Sequence, residues 1–99
     1  MFNQKIKKFK LPKQVMALIN QPGTTNIQGY KMDDLLIISD RFNGRRHISI
    51  SHPNRLPFPD EINFITSTLL PNVPLEVESI GRVIQFYETT AKSTENGRI

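Results

Sequence analysis

The 99-residue chain is long enough for one domain with a modest core, and its 37% hydrophobic share lies above the range that predicts disorder throughout. It has no cysteine, which excludes disulfides, thiolate metal sites and cysteine nucleophiles. The net charge of +4 is lopsided: residues 1–55 hold ten Lys/Arg against three Asp, and residues 56–99 hold three Lys/Arg against six Asp/Glu. A basic half favours acidic partners, either nucleic acid or an acidic protein surface, although such charge also simply keeps a small protein soluble.

No apolar run approaches the roughly 20 residues that span a bilayer, so no membrane role is expected. The lysines at 5, 7, 8 and 10 are not followed by the apolar stretch of a secretory signal. The expectation is a soluble, cytoplasmic protein.

Residues 1–11 form a basic N-terminal segment. In it Phe2, Ile6 and Phe9 have helical spacing, yet the same residues also read as a strand. Pro12 suits the first position of a helix whose apolar face is Val15, Met16, Leu18 and Ile19. Pro22-Gly23 stops it, and Thr24-Thr25-Asn26 reads as loop.

A hairpin follows, with strands over Leu35–Ser39 and Arg46–Ser51. Asn43-Gly44 offers two registers. A two-residue turn pairs Ser39 with Ile48 and mixes the faces. A three-residue loop, Phe42-Asn43-Gly44, pairs Ile38 with Ile48 and Leu36 with Ile50. The second segregates the apolar set and is the one predicted. It leaves Ile37, Ser39, Arg41, Arg45, His47 and Ser49 together on the opposite face, with Asp40 turned away from them.

Pro53 ends the strand. After Asn54-Arg55-Leu56-Pro57, Pro59 opens a second helix with Asp60 and Glu61 at the positive end of its dipole, each worth about 0.3–1 kcal/mol. Ile62, Ile65 and Leu69 share one face, and Pro71 closes the helix near Leu70. Pro74–Glu78 and Arg82–Tyr87 read as two strands around Ile80-Gly81. Residues 89–99 lack apolar periodicity and read as a flexible tail. The prediction is a single α+β domain over 1–88, with a mostly antiparallel sheet and the order α-β-β-α-β-β.

The run Arg46-His47-Ile48-Ser49-Ile50-Ser51-His52-Pro53-Asn54-Arg55-Leu56-Pro57, followed by Asp60-Glu61-Ile62 and later by Phe86-Tyr87-Glu88, resembles a small phage and prophage protein family. Its pattern is a His-Ile-Ser-Ile-Ser strand, an Arg-x-Pro loop and an acidic helix start. The match covers residues 46–88; Phe58-Pro59 departs from the pattern, which has a threonine cap and a tryptophan there. The resemblance implies phage origin. The family has no established activity, so no catalytic residue carries over.

Catalytic chemistry finds little support. His47 and Ser49 lie two apart on a strand, with stems roughly 6.5–7 Å apart, and no third group orients them. His47 and His52 lack a third metal ligand and have no helical spacing. Asp33-Asp34 alternates across a strand. No glycine-rich phosphate loop occurs, so neither a metal nor a cofactor is expected, and the chain is not read as an enzyme.

Two binding hypotheses remain. Arg41, Arg45, His47 and Ser49 form a mixed surface beside Ile37, extended by Arg55 and by Lys7, Lys8 and Lys10. Such a surface suits a host protein partner, dimerisation included. Small phage accessory proteins that inhibit a host defence nuclease, in the anti-CRISPR manner, are the analogy. The alternative is nucleic acid held through phosphate contacts, although the strands lack paired stacking aromatics.

Overall fold

The computed structural model describes residues 5–89. The elements are β1 (Lys7–Phe9), α1 (Lys13–Ile19), β2 (Thr24–Met32), β3 (Leu35–Phe42), β4 (Arg45–Ser51), α2 (Pro59–Leu69), β5 (Leu75–Ile80) and β6 (Val83–Glu88). The six strands form one sheet in the order β1-β2-β3-β4-β6-β5, antiparallel at every pairing. The α+β class is therefore as expected. The element order gains two strands: residues 7–9 settle as strand, and the segment read as loop from Thr24 is the nine-residue β2. Residues 90–99 of the expected tail, and Phe2, lie outside the described residues.

β2 has little hydrophobic alternation to mark it as a strand. Its sequence TTNIQGYKM carries a bulge between Thr25 and Gln28, where Asn26 takes φ 56°. Asn tolerates that left-handed conformation better than most residues. β2 is held instead by its neighbours, with β1 on one side and β3 on the other.

The β3–β4 hairpin corrects the predicted register. Phe42 pairs with Arg45, so the connection is the two-residue turn Asn43-Gly44, and Ser39 faces Ile48 while Ile37 faces Ile50. Asn43 and Gly44 both have positive φ, 52° and 83°, as the tight turn matching strand twist requires. Segregating apolar residues gave the wrong register because Leu35-Leu36-Ile37-Ile38 is covered on both faces. Leu35 and Ile37 are fully buried, and Leu36 and Ile38 are half-buried on the other side.

One face carries the core. Met32, Leu35, Ile37, Ile48 and Ile50 pack with Ile65 and Leu70 from α2 and its end, and Ile6, Tyr30, Ile62, Leu69 and Phe86 close the rim. The expected face of α2 is thus the one that packs. Its start is built by Glu61, whose Oε1 accepts the Phe58 N–H at 2.7 Å, the side-chain half of a capping box. The same carboxylate takes two Arg55 guanidinium bonds, at 2.8 and 2.9 Å, and Arg55 lies 3.8 Å over the Phe58 ring. Arg55 first, with the Phe58 N–H adding to it, holds the Glu61 carboxyl below its usual range against the opposing effect of burial. Arg55 is committed to folding the β4–α2 loop.

The second face is covered at its β1–β2 end. Leu11 is buried directly over Gly29, and Lys31 lies 5.3 Å over the Phe9 ring. The apolar face of α1 is only partly covered: Val15, Met16 and Ile19 are half-buried, and Leu18 is 75% exposed.

Gly29 permits the N-terminal segment to lie on the sheet. A Cβ there would meet the Phe9 carbonyl oxygen at 2.6 Å and Leu11 side-chain carbons at 2.6 and 2.7 Å. Gly29→Ala is expected to lower stability by about 1–3 kcal/mol, the usual range for overpacking. A urea midpoint unchanged from the parent would show that β1 and Leu11 are not seated there.

Candidate binding surface

With Phe42 opposite Arg45, every side chain near the hairpin changes partner relative to expectation. Asp40 faces His47, His47 faces Tyr87, and Tyr87 faces Glu76. These four residues form one row on the second face, crossing β3, β4, β6 and β5 and ending at an open edge. Ser49, Gln85 and Glu78 form the next row.

The row is tied together by polar contacts. His47 Nδ1 lies 3.0 Å from Asp40 Oδ1, and Nε2 lies 2.9 Å from Gln85 Oε1. The Tyr87 hydroxyl donates to that same Gln85 oxygen at 3.0 Å, and the Tyr87 and His47 rings stack at 4.5 Å. Arg45 lies 5.6 Å from the centre of the Tyr87 ring, donates Nε to the Glu88 carbonyl at 2.9 Å, and approaches Glu76 at 3.6 Å. Asp40 is buried and His47 is nearly so, with only 14% of its side chain exposed.

Burial opposes charge on His47, but the hydrogen bonds to Asp40 and Gln85 and the Asp40 charge outweigh it, and the imidazole pKa rises above its ordinary value. Both ring nitrogens facing oxygens is the arrangement of an imidazolium. Burial, with help from Glu78, raises the Tyr87 phenol, which stays a proton donor to Gln85.

The expected surface therefore divides. Arg45, His47 and Ser49 do share a face, but Asp40 shares it too, and the prediction that Asp40 points away is corrected. Ile37, Ser39 and Arg41 belong to the other face, by the alternation along β3. Arg41 is exposed and donates to the Gly44 carbonyl at 3.2 Å. Its cross-strand neighbour Arg46 is held by Glu88, which accepts the Arg46 N–H at 3.1 Å and lies 3.5 Å from its guanidinium. Lys7, Lys8 and Lys10 are exposed on or beside β1, at the far edge of the sheet from β5. His52 stands apart from His47, its Nδ1 accepting the Asn54 N–H at 3.0 Å.

A recess of about 310 Å³ lies over this row, walled by Leu18 and Ile19 of α1, by Phe42, and by His47, Gln85 and Tyr87. Chemically, His47 has no free nitrogen facing it, since each is taken by Asp40 or Gln85. The row ties β3, β4 and β6 together through side chains, and Arg45 extends it to Glu76 on β5.

That end is β5, an edge strand of six residues. Glu76, Val77, Glu78, Ser79 and Ile80 are all exposed, with Val77 at 65% and Ile80 at 56%. Sequence reasoning missed the edge because strand order is not written in local pattern. It missed the Asp40–His47 pair despite a usable signal, since Asn-Gly between apolar runs predicts the two-residue turn. Among the described residues no helix is long and apolar enough to cross a membrane, and no cluster of three or more His/Asp/Glu is placed to hold a metal. Compared with known protein families, curated proteins and solved structures, the chain finds no match.

His47 supplies a pH test. Its raised folded-state pKa means that the contribution is complete below the unfolded value of about 6.5 and is lost as pH rises through the folded value. Urea unfolding at about pH 6 and about pH 9 should show the protein more stable at the lower pH. His47→Gln should cost on the order of 1–3 kcal/mol at the lower pH and flatten the difference. Equal pH slopes in parent and variant would sink the assignment.

Proposed function

We propose that this chain is a non-catalytic accessory protein of phage type, cytoplasmic in its host, that binds a host protein through the open edge of β5. The observation that carries this reading is the edge itself: six residues of strand with unshared ladder groups on one side, exposed Val77 and Ile80, and two carboxylates. Proteins usually blunt such edges, and a long open one is a template for an added strand. Glu76 and Glu78 favour a partner segment carrying Lys or Arg. A surface that normally meets nucleic acid has that character, so a host defence nuclease fits as target. The resemblance of residues 46–88 to a phage family supports the origin.

The non-catalytic part is supported by where the polar groups go. Both His47 nitrogens, Arg45 and Arg55 are taken by partners within the fold. The residues first suited to a site therefore act as its frame, and the contact surface shifts from Arg41, Arg45 and His47 to the neighbouring edge.

The immobilised protein is expected to retain a bacterial host protein, which can then be purified and titrated. Glu76→Lys/Glu78→Lys should weaken that purified complex by tenfold or more, while Arg41→Ala leaves it unchanged. Identical affinity for parent and edge variant would refute docking at β5.

A second reading is favoured by a different observation: exposed Lys5, Lys7, Lys8, Lys10 and Lys13 cluster at the β1 edge and the α1 start. If this cluster holds phosphates, a labelled duplex should bind with an affinity that falls steeply with salt. Lys7→Ala/Lys8→Ala should then shallow the salt slope by roughly 1–2. Absence of binding at low salt removes this reading.

A further inference from the structure

The two edges of the sheet are complementary to each other. We infer that β1 of one copy adds to β5 of another, joining molecules head to tail through their sheets. The inference rests on the reading that β5 accepts a strand, and it names a second copy of this chain as one such partner.

The geometry comes from strand parity. Six strands, antiparallel throughout, make β1 and β5 run in opposite directions. A second copy placed beside the first by translation, with the sheet's own twist, therefore meets it antiparallel, and the faces of the two sheets stay continuous. No flip of the molecule is needed.

The faces then decide the register. Following the cross-strand partners from Lys7 through Lys31, Leu36, Ser51 and Val83 to Ile80 places Lys7 on the same face as Ile80, Glu78 and Glu76. Continuing the alternation upstream puts Lys5 on that face as well, while Ile6 packs against the core on the other face. Val77 shares the core-side face, since its partner Phe86 packs there.

One register matches three successive positions, 5–7 against 76–78, and sets Lys8 and Phe9 against Leu75 and Pro74. Lys7 faces Glu76 and Lys5 faces Glu78 on one side of the sheet, and Ile6 faces Val77 on the other. Opposite charges and apolar pairs directly across a ladder each add about 0.2–1 kcal/mol. A shift of two residues keeps the faces but sets Lys5 against Ile80 and Ile6 against Ser79. Pairing two copies of β5 with each other would instead bring Glu76 and Glu78 onto their own kind.

Groups at both edges are available. Lys5, Lys7 and Lys8 are exposed, and so are Glu76, Val77 and Glu78. Glu76 keeps 60% side-chain exposure although Arg45 lies 3.6 Å away, so it can face a second cation. The contact is heterologous, each copy offering one edge of each kind, so it propagates unless the twist closes a ring.

Sedimentation equilibrium of the whole chain tests this. The parent should show a mass that rises with concentration above 11.4 kDa and falls back as salt is added. Lys5→Glu/Lys7→Glu alone and Glu76→Lys/Glu78→Lys alone should each stay monomeric. Mixed one to one, they should regain concentration-dependent association with the two variants alternating, because the acidic β5 of the first suits the basic β1 of the second and the acidic β1 of the first suits the basic β5 of the second. A monomeric parent at every concentration, association in either variant alone, or a monomeric mixture would each overturn the inference.

Should a variant fail to fold, hydrogen exchange on the parent decides. Amides in Lys5–Lys8 and Leu75–Glu78 should slow together as concentration rises, and unchanged rates there would refute the contact. A parent that stays monomeric while its host complex weakens in Glu76→Lys/Glu78→Lys loses only the self-association. A parent that assembles while its host complex ignores that variant loses only the host-docking reading.

Discussion

The parity of the Asn43-Gly44 turn governs this structure. Two residues between the paired positions Phe42 and Arg45, both with positive φ, set which side chain of β3 meets which of β4. A connection longer by one residue would move Ile48 and Ile50 relative to Ile37 and exchange the company of every polar group nearby. With the observed turn, the isoleucines meet on the α2 face and His47 meets Asp40 on the other. The core and the polar row are two readings of one register.

The polar row shows how a constellation that suggests chemistry can be structural. An aspartate, a histidine and a tyrosine stand side by side in one row, yet the imidazole spends both nitrogens inside the row and the hydroxyl donates to Gln85. Buried polar groups of this kind are stable only when all are satisfied, and here the satisfaction links β3, β4 and β6. Arg45 extends the linkage to the backbone of β6 and to Glu76 of β5. The Arg55–Glu61–Phe58 cluster does the same for the loop that leads into α2.

Much of this was legible in the sequence, and the failures have physical causes. The second helix declared itself through Pro59, the acidic first turn and the Ile62-Ile65-Leu69 spacing. The β5–β6 hairpin followed from Gly81 between two apolar runs. β2 was hidden because a strand fastened on both sides needs little alternation of its own, and the bulge at Asn26 broke what alternation there was. The hairpin register does not follow from hydrophobic segregation, because a central strand with apolar residues on both faces gives segregation no leverage. The turn chemistry was the better guide. Arg45 and His47 share a face as their spacing on one strand requires, but their partners come from β6 and β5, about 30 to 43 residues away, and local pattern does not report them.

The position of the strands also sets how the fold meets force. A pull on the chain ahead of Lys7 loads β1, three residues long and bonded only to β2, so its hydrogen bonds open one after another from the end. A pull beyond Glu88 loads β6, which is clamped between β4 and β5 along its whole length. It must be dragged from the interior of the sheet, with Phe86 leaving the core as it goes. A motor that unravels proteins from one end would find this molecule soft from the amino side and hard from the carboxyl side, and its survival would depend on which end was gripped.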